Sequence, residues 1–106
     1  MGRSSRQRPA RLAEKLLQIR ITLDLSQNEM LKRLGLSDEL IRSNISRFEL
    51  GTAEPSLPIL LKYAQAANVW LDVLVDDNLD LPAKLPSARK HEGIKRQALR
   101  SGKQRR

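Results

Sequence analysis

An all-α fold of five short helices, flanked by basic disordered tails, is what this sequence predicts. Three observations carry the prediction. Apolar residues recur at helical spacing in separate short runs, helix start and stop residues bracket those runs, and no stretch alternates as a strand does. The chain is 106 residues long with aromatics at 3%, so one small aliphatic core is expected and a second is not.

The first predicted helix takes Pro9 in its first turn, where a missing N–H costs nothing, and runs to about Thr22. Leu12, Leu16, Ile19 and Leu23 fall on one face, while Arg11, Glu14, Lys15 and Gln18 read as solvated surface. The second spans 26–34. Ser26 and Glu29 form an S-x-x-E capping box, Met30, Leu31 and Leu34 point inward, and Gly35 stops it. The third carries Ile41, Ile45 and Phe48 on its inner face, shows Arg42, Ser43, Asn44, Ser46 and Arg47 outside, and closes at Gly51. The fourth spans 55–66, with Ser56 as N-cap, Pro58 in the first turn, Leu57, Leu60, Leu61 and Ala64 inward, and Lys62, Tyr63 and Gln65 as surface. Asn68 ends it in a left-handed conformation. Residues 70–75 (WLDVLV) form a short fifth helix, and beyond Leu79 two prolines break the pattern. The organisation expected is a flexible arm over 1–8, a domain over 9–80 and a mostly disordered basic tail over 81–106.

The net charge of +8 is unevenly placed. Residues 1–11 hold four arginines and no acid, and residues 84–106 hold nine Lys or Arg and one Glu. Residues 12–83 are mildly acidic, with seven bases and eleven acids. Basic ends on a small helical domain fit a polyanion, because its phosphates release counterions when Lys and Arg replace them. The arm can track phosphates or enter a minor groove; it serves equally well as a merely solubilising leader. A short helix with an apolar back and a front of Arg, Asn and Ser suits the major groove. Together with the preceding capped helix it reads as a helix-turn-helix, and the protein as a binder of double-stranded DNA.

Enzymatic chemistry is not expected. The chain has one His, His91 in the tail, no Cys, no Gly-rich phosphate loop and no acid pair in an apolar pocket. No cofactor, metal or small-molecule domain is expected, and no apolar run approaches a membrane span. The acids Asp72, Asp76, Asp77 and Asp80 read as a solvated helix end rather than a metal site, or as a holder of the basic tail when DNA is absent. A cytoplasmic protein of the bacterial nucleoid is the expectation.

Taken together, LSQNEMLKRLGL, ISRFELG, Pro55-Ser56 and NVWLDVLV, in that order, resemble the lambda repressor-like, XRE-type helix-turn-helix family over roughly residues 12–75. The resemblance implies a compact bundle whose third helix enters the major groove, usually from a homodimer on a two-fold operator. Gln27 matches the helix-two glutamine on backbone phosphate, and Asn28 joins it at that helix N-terminus. Arg42, Ser43, Asn44, Ser46 and Arg47 match exposed recognition positions. Arg20 and Glu49 match an ion pair tying helix one to helix three.

The chain departs from the family in three places. Gly35 to Ile45 is four residues longer than usual. A longer turn is favoured over an added turn of helix, which would bring Asp38 and Glu39 towards phosphates. Leu31 replaces a usual Ala at the helix crossing. Thr52-Ala53-Glu54 stands where relatives often place phosphate-binding bases. Trp70 occupies an N-cap position, either as semi-buried core or, with Val73, Leu79 and Leu81, as a dimer contact. The function expected is a transcriptional regulator, a repressor. The alternatives are the DNA-binding antitoxin of a toxin–antitoxin pair and an RNA-binding or protein-bridging module of the same fold.

Overall fold

The computed structural model describes residues 8–85 and contains, in chain order, α1 (Leu12–Thr22), α2 (Gln27–Leu34), α3 (Arg42–Leu50), α4 (Leu57–Ala67) and α5 (Leu71–Val75). No strand occurs among the described residues. The expected arm over 1–7 and the tail beyond residue 85 lie outside them. The five helices wrap one core in which α3 packs against both α1 and α2, while α4 and α5 close the other side. Leu12, Leu16 and Ile19 of α1 meet Met30, Leu31 and Leu34 of α2, Ile45 and Phe48 of α3, and Leu60 of α4 in a single buried cluster.

Local chemistry sets the boundaries. The Glu29 N–H donates to Ser26 Oγ at 3.1 Å and the Ser26 N–H to Glu29 Oε1 at 2.7 Å, so the capping box forms as the sequence predicts. The Ser26 backbone N–H, donated to the carboxylate, is the first cause holding the Glu29 pKa below its ordinary value. Gly35 takes φ 73° as the left-handed C-cap of α2, a conformation costly for a residue with a Cβ. Ser56 and Asn68 cap α4 as expected, Asn68 with φ 58°. The connection from Gly35 to Ile41 is a longer turn and not extra helix. Buried Leu36 anchors it, and its carbonyl accepts the N–H groups of Glu39 and Leu40 at 3.0 and 2.9 Å.

The faces expected for Tyr63, Leu57, Leu61 and Ile41 need correction, and the alternatives for Trp70 narrow. Tyr63 is fully buried, not on the surface, while Leu57 and Leu61 are exposed. The inward stripe of α4 is Leu60, Tyr63, Ala64 and Ala67, one position round from the reading suggested by its dense leucines. Burial pushes the Tyr63 phenol pKa up. Trp70 is 46% exposed at the N-cap of α5, so it is not core. Ile41 lies outside the core as well, at 67% exposed.

A further correction joins the two ends of the described domain. Pro9 precedes the first helix rather than lying within it, since α1 begins at Leu12. Its capping comes from Asp77 instead, whose two carboxylate oxygens accept the Ala10 and Arg11 N–H groups at 2.8 and 3.0 Å. Arg11 returns Nη1 to the Asp77 carbonyl at 3.0 Å and pairs with Asp80 at 2.7 Å. Lys15 is 2% exposed, and its Nζ donates to the carbonyls of Val73, Asp76 and Leu79 at 2.7, 3.0 and 2.7 Å. Asp76, Asp77 and Asp80 are therefore not simply a solvated helix end: this stretch clasps the start of α1.

The Asp77 pKa is held below its ordinary value, first by the backbone N–H bonds from Ala10 and Arg11. A carboxyl with a depressed folded pKa stabilises above its unfolded value and loses that contribution as pH falls through the folded one. Thermal midpoints should therefore drop below about pH 4, the ordinary Asp range. In Asp77→Asn the drop should be shallower; an equal slope in both proteins would contradict the cap.

Candidate nucleic-acid interface

α3 is held from beneath and presents a polar, cationic front. Ile45 and Phe48 are buried, whereas Arg42, Ser43 and Arg47 are exposed and Ser46 is half-buried. The helix has no acid in its first turn. No carboxylate within that first turn offsets the helix dipole, while Asp38 and Glu39 lie exposed in the connection ahead of it.

The C-terminal half is fixed by a bidentate pair. Arg20 Nε lies 2.6 Å from Glu49 Oε2 and Nη2 lies 3.0 Å from Oε1, while Nη1 donates to the Leu25 carbonyl at 2.9 Å. The Glu49 side chain is only 5% exposed. Its hydrogen bonds raise the Arg20 pKa above the ordinary value. One arginine of α1 thereby sets both the end of α3 and the turn leading into α2.

A family model described as Helix-turn-helix matches residues 16–74, more than half of the chain and the whole of this arrangement. The chain belongs to the XRE-type helix-turn-helix family. The lambda repressor-like resemblance read from the sequence is thus upheld, and the protein is a DNA-binding helix-turn-helix regulator. Neither a curated protein nor a solved structure matches it. No helix among its described residues is long and apolar enough to cross a membrane.

Within the helix-turn-helix, two residues singled out in the sequence have structural engagements that spacing did not reveal. Gln27 Nε2 donates to Glu49 Oε1 at 3.1 Å, extending the Arg20–Glu49 pair into α2. Asn44 Oδ1 accepts the Ile41 N–H at 2.9 Å, the reach-back half of a capping box. Bidentate reading of adenine uses both the oxygen and the amino group of an Asn, so Asn44 in this conformation keeps only its amino group for a base. Asn28 is exposed in the first turn of α2. Of the residues expected to face DNA, Arg42, Ser43 and Arg47 share one exposed helical surface, and Gln27 and Asn44 brace it.

Beyond the helix-turn-helix, Glu54 sits 3.2 Å from Arg8. The segment after Gly51 thus uses its acid to hold Arg8, the one described residue of the expected N-terminal arm. The signal for this was the Glu itself; its partner, 46 positions earlier, was not readable.

Proposed function

We propose that the protein is a sequence-specific transcriptional regulator that represses by occupying its operator. α3 enters the major groove, with Arg42, Ser43, Ser46 and Arg47 facing bases and phosphates. Asn44 contributes its amino group, and Gln27 and Asn28 at the start of α2 approach the backbone. The observation that carries this reading is the pairing of an acid-free, Arg-bearing helix front with a back clamped by Ile45, Phe48 and Glu49. Base readout needs a rigid helix, since hydrogen-bond discrimination depends on sub-ångström placement.

The reading includes a homodimer on a two-fold operator. Exposed Trp70 and half-buried Val73, with exposed Val75 and Leu79 close by in the chain, support a contact at the α5 end. The cationic tails add sequence-independent affinity.

Selection from a random-sequence duplex pool tests the proposal. The expected result is one recurring motif with two inverted half-sites. Recovery of no motif, with binding that disappears as salt rises, would contradict it.

A further inference from the structure

Ile41 occupies the N-cap of α3, with φ −120° and ψ 170°. That position rewards a Ser, Thr, Asp or Asn oxygen able to accept a first-turn N–H, and isoleucine offers none. It does not serve the core either. Leu36 before it and Ile45 after it are buried, while Ile41 is left 67% exposed. A lone exposed apolar side chain says little. One that displaces a capping residue at the leading edge of the recognition helix says more, because broken local rules concentrate where function is built.

The surroundings indicate what Ile41 meets. It lines a groove with Leu31 and Leu40 as well as Asn28, Lys32, Ser37 and Arg42, so the groove joins apolar side chains with two cationic ones. The connection's own charges, Asp38 and Glu39, are exposed just ahead and disfavour a phosphate there. In a major groove the apolar group within reach of such an edge is the C5-methyl of thymine. We propose that Ile41 is a specificity-determining residue that reads a thymine methyl beside the base met by Arg42. The proposal rests on the reading that α3 lies in the major groove.

The test uses the full chain and the duplex recovered by random-sequence selection, with each thymine replaced in turn by deoxyuridine, which lacks only the methyl. For the wild type, one position per half-site is expected to weaken binding about fourfold, the effect of losing one buried methyl-sized group. Ile41→Ser should bind the thymine and uracil duplexes equally. It should also raise the thermal midpoint by about 4–8 °C, because serine restores the cap. A wild type indifferent to every replacement would overturn the inference, as would an Ile41→Ser variant that keeps the uracil penalty or melts lower. Arg42→Ala separates the two levels. If it loses preference for the selected duplex while Ile41 shows no methyl dependence, the groove reading stands and the role of Ile41 falls.

Discussion

Glu49→Ala is expected to destabilise the domain by about 3–5 kcal/mol, the usual cost of removing one partner from a buried ion pair. The Glu49 carboxylate is 5% exposed and accepts hydrogen bonds from both Arg20 and Gln27. Its loss strands a guanidinium that is itself mostly buried, with only the Leu25 carbonyl left to it. The cost is therefore chiefly that of an uncompensated charge. The double variant Arg20→Met with Glu49→Leu should recover most of the stability, because apolar side chains of similar size pack without desolvating ions. Its DNA preference should recover less, since Gln27 and the end of α3 lose their common anchor. Urea unfolding followed by far-ultraviolet circular dichroism measures all three proteins. A single variant within about 0.5 kcal/mol of wild type, the range of ordinary surface changes, would contradict this account of the pair.

Lys15→Met is expected to cost about 2–4 kcal/mol, from carbonyls left dry where the ammonium had satisfied them. The methionine keeps the packing of the buried stem but has no donor for Val73, Asp76 and Leu79. The positive charge also sits at the C-terminal end of α5, where it complements the helix dipole. Lys15→Arg should not rescue, because a planar fork does not fit a site filled by three donors from one nitrogen. Lys62→Met, on the exposed side of α4, should stay within about 0.5 kcal/mol of wild type. Amide hydrogen exchange should show the Lys15→Met loss concentrated in α5 and the start of α1. A uniform loss, or none, would contradict the clasp.

These two residues show what the sequence could and could not convey. Glu49 and Arg20 were legible because a family pattern supplied their distance in space; 29 residues of separation alone would not have. Ser26, Glu29, Gly35, Ser56 and Asn68 were legible because caps are local, each depending on backbone groups within a few residues. Lys15 was misassigned to solvent although it stands at the inward i+3 position from Leu12. Its partners are carbonyls about 60 residues away, and sequence carries no sign of a free carbonyl. Tyr63 failed for a related reason: closely spaced leucines in α4 fit two registers, and the neighbouring helices decide which is buried. The polar front of α3 was legible as a composition of Arg, Ser and Asn. The capping role of Asn44 was hidden because its N-cap partner is an isoleucine, which matches no S-x-x-E pattern. The four extra residues before α3 were read as a turn on electrostatic grounds, and the structure places a turn there, anchored by Leu36.

The measurement that bears most directly on base reading by α3 is a salt series of binding to the selected duplex and a scrambled one, with wild type and Arg42→Ala. The account predicts that Arg42→Ala loses about 10- to 100-fold on the selected duplex, the worth of one bidentate base contact. Binding to the scrambled duplex should change little, and the wild-type preference should persist as salt rises. An equal loss on both duplexes, with a reduced salt slope, would make Arg42 a phosphate contact and contradict base reading by α3.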